Sequence, residues 1–112
     1  MTVSLPNGHC AGVSDDKVVK YLLNSAHNQG AAKAKFFTAF GFQASDWRVL
    51  QSALVVQGQS NPVVETTVTE FGPRYEVLCH CPSPDGRNPC IRTVWQVTAD
   101  EPCPELITAI PK

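Results

Sequence analysis

Apolar positions recur at helical spacing through the first half of the chain and alternate through the second. Residues 1–13 alternate loosely around Pro6-Asn7-Gly8, which suggests a short hairpin or edge strand. Ser14 is placed to cap a helix over about 15–23, with Asp15 and Asp16 favouring its positive end and Val18, Tyr21 and Leu22 forming its apolar stripe. A polar, turn-prone stretch at 24–30 interrupts that helix. A second helix is expected over about 31–40, with Phe36, Phe37 and Phe40 buried and Gly41 supplying a left-handed cap. Ser45 or Asp46 caps a third helix over about 46–57, with Trp47, Leu50, Ala53 and Leu54 toward the core and Gly58 as its stop. After Pro62 the period becomes two. Strands are expected around Val64-Thr66-Val68, at 75–79, at 91–97 and at 106–110. A Phe71-Gly72-Pro73 turn and a loop dense in turn formers at 82–89 separate the first three.

This order predicts an α+β fold for the single domain 1–112: N-terminal helices packed on one face of an antiparallel β-meander of about four strands. In the strand at 91–97, alternation sends Ile91, Thr93, Trp95 and Val97 under the helices. Arg92, Val94 and Gln96 face the other way, Arg92 beside Glu76 or His80.

Composition narrows the function classes. With 43% hydrophobic and 17% charged residues the chain reads as globular. Nine Lys and Arg against ten Asp and Glu give a net charge of −1, so the chain lacks the basic excess of a dedicated duplex binder, and nucleic acid would need a local basic patch. The opening residues lack the basic and apolar regions of a signal peptide. No run approaches the roughly 18 apolar residues of a membrane span. Five cysteines, an odd number without a secretion signal, read as reduced thiols in the cytoplasm. Cys79-His80-Cys81 with Cys90 and Cys103 contains enough ligands for zinc, but no Cys-x-x-Cys knuckle. Small buried thiols, with no structural metal and no cofactor, are therefore expected.

Four polar residues are candidates for chemistry. His27 lies in the polar break, and histidine as a residue type suits acid or base work; the alternative is an exposed or helix-capping histidine. Lys33 and Lys35 lie two apart on one helix and face about 200° from each other, so they cannot serve one ligand. Lys33, in the first turn, is the better placed for an anion at the helix start. Arg92 either pairs across the sheet with Glu76 or presents its planar fork to a phosphate or carboxylate. Thr108 can donate a hydroxyl from the last strand, although β-propensity explains it equally well.

Leu5-Pro6-Asn7-Gly8, Tyr21-Leu22-Leu23-Asn24-x-x-His27-x-x-Gly30 and Lys33-Ala34-x-Phe36-Phe37-x-x-Phe40-Gly41-Phe42 together resemble a small bacterial family of unknown function. Phe71-Gly72-x-x-Tyr75, Pro84-Asp85-Gly86-Arg87, Arg92-Thr93-Val94-Trp95 and Thr108-Ala109-x-Pro111 extend the resemblance over nearly the whole chain. The family is similar to toxin tips of secreted bacterial proteins, which resemble the barnase, EndoU and RelE group of metal-independent endoribonucleases. Ser25 stands where the family tends to have proline, and Cys79-His80-Cys81 is a second departure. The resemblance implies a ribonuclease-like domain acting on RNA by transesterification, with His27 as base or acid, Lys33 and Arg92 holding the phosphate and Thr108 donating a hydrogen bond. Its rival is a non-catalytic immunity or adaptor module with a protein partner, in which the same residues cap helices and pair across strands.

Overall fold

The computed structural model describes residues 3–28 and 30–112. Positions 1 and 2 of the expected N-terminal alternation, and position 29 of the polar break, lie outside the described residues. The elements follow the expected order: α1 (Asp15–Lys17) running into a π-helical turn (Val18–Leu22), α2 (Ala31–Ala39), α3 (Trp47–Ser60), and strands β1 (Val63–Thr69), β2 (Gly72–His80), β3 (Cys90–Gln96) and β4 (Glu105–Pro111). The strands pair antiparallel in the order β1-β2-β3-β4, so the fold is a helix layer on an antiparallel meander. Ser14 caps as its sequence position suggests, its hydroxyl accepting from Lys17 N–H at 3.1 Å, and Gly41 takes φ 99° at the end of α2.

The core lies between α3 and one face of the sheet. Leu50, Ala53 and Leu54 of α3 meet Val77, Ile91, Trp95, Leu106 and Ala109, while Val18, Leu22, Phe37 and Phe42 close it from the N-terminal side. A buried polar chain binds helix to sheet. Trp95 Nε1 donates to Thr93 Oγ1 at 2.8 Å, Thr93 Oγ1 donates to Gln57 Oε1 at 2.6 Å, and Gln57 Nε2 donates to the carbonyls of Val77 and Ile91, each at 3.2 Å. Each of these groups has a partner, which burial in a low-dielectric interior demands. Gly58 does not end α3, contrary to the expectation from sequence. The helix continues to Ser60, and a Cβ at Gly58 would lie 2.5 Å from Trp95 Cζ2, so glycine is there because the indole lies against the helix backbone.

Two further expectations are corrected. Of the two forms expected for the N-terminal segment, the hairpin is absent among its described residues, and edge pairing is reduced to a single bridge to the outer strand β4. The segment makes a 3-10 turn at Gly8–Cys10 and one parallel bridge between Gly12 and Glu105, where Gly12 N–H donates to Pro104 O at 2.9 Å and Leu106 N–H to Gly12 O at 3.0 Å. The cysteines are not mostly reduced thiols. Cys10 is bonded to Cys103 and Cys79 to Cys90, leaving Cys81 as the free, buried thiol. The first pair is 93 residues apart in sequence, and the second joins neighbouring strands on a diagonal, so neither shows in local spacing. The disulfides remove the ground on which a reducing cytoplasm was inferred. They also withdraw Cys79, Cys90 and Cys103 from metal binding, and no group of three or more His, Cys, Asp or Glu is placed to hold a metal ion among the described residues. Burial pushes the Cys81 thiol up to about 12, which makes it a poor nucleophile. No helix among the described residues is long and apolar enough to cross a membrane.

Candidate functional site: a lysine held by two hydroxyls

Two interruptions of regular structure create the site. The first is the π turn, closed by Leu23 N–H donating to Val18 O at 2.9 Å. A wider turn advances each residue through a smaller angle, so Leu22 returns beneath Val18 and Tyr21 is left to the side. Val18 and Leu22 are fully buried, whereas Tyr21 is half-buried at the core margin. The second is a β-bulge. Val94 pairs with Thr108, but Trp95 pairs with Leu106, which leaves Ile107 as the extra residue of β4. Leu106 and Ala109 both enter the core, three positions apart, and Thr108 is turned onto the opposite face with Arg92 and Val94. Strict alternation from Leu106 would have buried it.

Tyr21 and Thr108 meet at Lys33. The Lys33 ammonium donates to Tyr21 Oη at 2.7 Å and to Thr108 Oγ1 at 2.6 Å, and the two hydroxyl oxygens lie 3.3 Å apart. Lys33 Nζ is 4.9 Å and Lys17 Nζ 5.4 Å from the centre of the Tyr21 ring. The His27 ring meets Tyr21 edge-on at 5.1 Å between centroids. These residues line an open cleft of about 480 Å³ with Ile107 and Ile110. Among the described residues, neither Lys17 nor Lys33 is in an ion pair, and no carboxylate lines the cleft. Burial alone would push the Tyr21 phenol up. The hydrogen bonds from Lys33 and Thr108 and the charges of Lys33 and Lys17 outweigh it, and together they hold the pKa below its ordinary 10.0.

His27 closes the turn that leads into α2. Its Nδ1 accepts from Gly30 N–H at 3.0 Å, and its carbonyl accepts from Ala31 N–H at 2.9 Å. The amides of Gly30 and Ala31 are thus satisfied within the protein. An accepting Nδ1 places the ring proton of the neutral imidazole on Nε2. Lys35 is exposed, on the far side of α2 from the cleft, as the spacing required.

Arg92 is not among the residues lining the cleft. Its Nη1 donates to Glu76 Oε1 at 2.9 Å and lies 3.8 Å from Glu65 Oε2, the cross-strand pairing that alternation allowed. Register sets it opposite Ile110, on the same sheet face as Thr108. The hydrogen bond from Arg92 is the main influence on Glu76, outweighing burial and holding its carboxyl below the ordinary 4.5. Of the four candidates, then, the fold brings together His27, Lys33 and Thr108 and leaves Arg92 at the flank. Sequence reasoning missed Tyr21, assigned to the core stripe, and Lys17. A tyrosine at the end of an apolar stripe next to a polar break is the available signal, since its ring suits the core margin and its hydroxyl the water beyond.

Residues 4–112 match the model of a family described as a domain of unknown function, DUF6883, and the chain belongs to that family. No curated protein matches it. Among solved structures it is similar to a chain of a contact-dependent growth inhibition toxin–immunity protein complex from Klebsiella pneumoniae 342. That match has a TM-score of 0.68 at 17% identity, covering 96% of this chain and 98% of the other. At that identity the likeness is one of fold.

Proposed function

We propose that the chain is a toxin-related, ribonuclease-like domain whose cleft binds an RNA phosphate and promotes metal-independent transesterification. The observation that carries this reading is the Lys33 ammonium, steered by two hydroxyls, uncompensated by any described carboxylate and open to solvent beside Lys17 and His27. Metal-independent cleavage needs positive charge at the pentacoordinate phosphate, a proton acceptor at the 2′-hydroxyl and hydrogen-bond donors around the phosphoryl oxygens. Lys33 supplies the charge. Thr108 and Tyr21 fix its direction, so little reorganisation is needed when the phosphate arrives. His27, with Nδ1 accepting from Gly30 and its ring edge-on to Tyr21, lines the cleft beside the lysine. Arg92 stays with Glu76 and stands beside the strand position of Thr108, where an adjoining phosphate of a longer strand can draw on it. The toxin–immunity complex that contains the structural relative supports a toxin-related setting.

The test is incubation of end-labelled RNA with purified protein in excess chelator. The expected result is cleavage leaving 2′,3′-cyclic phosphate ends, lost on Lys33→Met and kept on Lys35→Ala. A folded wild-type protein that leaves RNA intact overturns the reading.

The second reading is an immunity or adaptor module, and it is favoured by strand β1. This strand lies at the sheet edge and is largely exposed, with Val68 at 86% and Phe71 just beyond it at 64% exposure. An open apolar edge suits strand addition by a protein partner. Under this reading the protein cleaves nothing, forms a stable complex with a toxin domain, and loses that complex on Val68→Lys.

A further inference from the structure

We infer that Tyr21 is the proton acceptor of the cleft, a catalytic role carried by its phenolate oxygen and not by the His27 ring. The inference rests on the ribonuclease reading and names the base within the same site.

The geometry separates the two groups. His27 has its Nδ1 lone pair occupied by Gly30 N–H, so its ring proton sits on Nε2, where there is no lone pair to receive another. Taking up a proton would mean surrendering the bond from Gly30 N–H. The Tyr21 oxygen is surrounded differently. It receives a hydrogen bond from Lys33 Nζ at 2.7 Å and lies 3.3 Å from Thr108 Oγ1, whose hydroxyl can turn toward it. A lysine ammonium has only donors, so this oxygen sits where negative charge is welcome. Among the described residues, the other charged or titratable groups lining the cleft are Lys17 on α1 and His27 before α2, and neither contributes an anion. The lowered phenol pKa follows from the same contacts.

The π turn is consistent with such a role. It places the one aromatic hydroxyl of the N-terminal helix at the cleft while keeping Val18 and Leu22 buried. Departures of this kind from regular helix recur at functional sites.

Tyr21 phenolate takes the proton of the ribose 2′-hydroxyl, and the 2′-oxygen forms a bond to the adjacent phosphorus. The bond from phosphorus to the 5′-oxygen breaks, and that oxygen takes a proton from cleft water. The hydroxide so formed takes the phenol proton and restores the phenolate. The products are a 2′,3′-cyclic phosphate and a free 5′-hydroxyl. Lys33 stays protonated throughout and stabilises, in turn, the phenolate and the phosphorane.

Two tyrosines are present, so Tyr75→Phe leaves Tyr21 as the only phenol for ultraviolet difference titration. That titration needs no RNA. Tyr21 is expected to ionise below the ordinary 10.0, and to return upward on Lys33→Met or Thr108→Val. In the cleavage assay Tyr21→Phe should reduce turnover by about 10²–10⁴-fold while the melting temperature holds, and the wild-type rate should rise with pH along the Tyr21 titration. A phenol that ionises at or above its ordinary value overturns the inference whatever RNA does, as does full activity in Tyr21→Phe. Should His27→Asn abolish cleavage while Tyr21→Phe spares it, the base is His27. A wild-type protein inert toward RNA removes both the ribonuclease reading and this role, whereas low ionisation with an active Tyr21→Phe removes this role alone.

Discussion

Trp95 shows what one buried side chain supports. Its indole fills the space between β3 and α3, its Nε1–H anchors Thr93 and through it Gln57, and its ring lies against the backbone at Gly58. Trp95→Ala should therefore cost about 3–5 kcal/mol in denaturant unfolding, through lost burial and the cavity left behind. Gly58→Ala should cost about 1–3 kcal/mol by overpacking the same contact. A neutral Gly58→Ala would contradict the packing described. Arg92 is the opposite case: partly exposed, it separates Glu65 and Glu76, which the register sets directly opposite one another. Arg92→Ala should cost about 1 kcal/mol or less at neutral pH. Because the Glu76 carboxyl is held below 4.5, this contribution is present above that pH and fades as pH falls through the folded value. The gap between wild type and Arg92→Ala should thus be measurable at pH 7 and absent near pH 2, and a gap that widens in acid would refute the pairing.

At the scale of elements, much was legible because propensity and period agreed. Ser14, Gly41 and the turn-rich 82–89 loop marked boundaries, and the alternation of Ile91, Thr93 and Trp95 set the sheet faces. The site was only half legible, and for one physical reason: its two hydroxyls are aimed by departures from regular winding. Periodicity assigned Tyr21 to the core with Val18, and it could not show that a bulge at Ile107 turns Thr108 out of it. Lys33 was legible because a helical spacing of two forces Lys35 to the far side. His27 was legible both as a site candidate and as a helix-capping residue, but the bond its ring accepts, from the amide of Gly30, depends on a fold-back within the polar break. That bond gives a prediction for α2. His27→Ala leaves the Gly30 amide without its acceptor and should cost about 0.5–2 kcal/mol, most of which His27→Asn should recover. Equal stability of all three proteins would show that His27 does not hold the turn into α2.

Over the whole molecule, the segment before α1 is joined to the approach to β4 by the Cys10–Cys103 disulfide and the backbone bonds of Gly12, and the elements that follow these two points supply Lys17, Tyr21 and Thr108 to the cleft. Local pattern could not reveal this link, because a disulfide across 93 residues depends on the finished topology. Replacing both cysteines by serine should destabilise the chain by about 2–5 kcal/mol under oxidising conditions, read by chemical denaturation. Peptide mapping without reductant should recover Cys10 with Cys103 and Cys79 with Cys90, leaving Cys81 alkylated only after unfolding. Ready alkylation of all five cysteines in the native protein would overturn the pairing.

The central claim is that Lys33, Tyr21 and Thr108 form a phosphate site. It is tested most directly by following backbone amide resonances while a 2′-deoxy dinucleotide, which can bind but cannot undergo transesterification, is titrated in. The account predicts saturable shifts centred on His27, Lys33, Ile107 and Thr108, lost in Lys33→Met and retained in Lys35→Ala. Shifts centred instead on the sheet face around Glu65 and Glu76, or a Lys33→Met protein that binds as well as wild type, would contradict it.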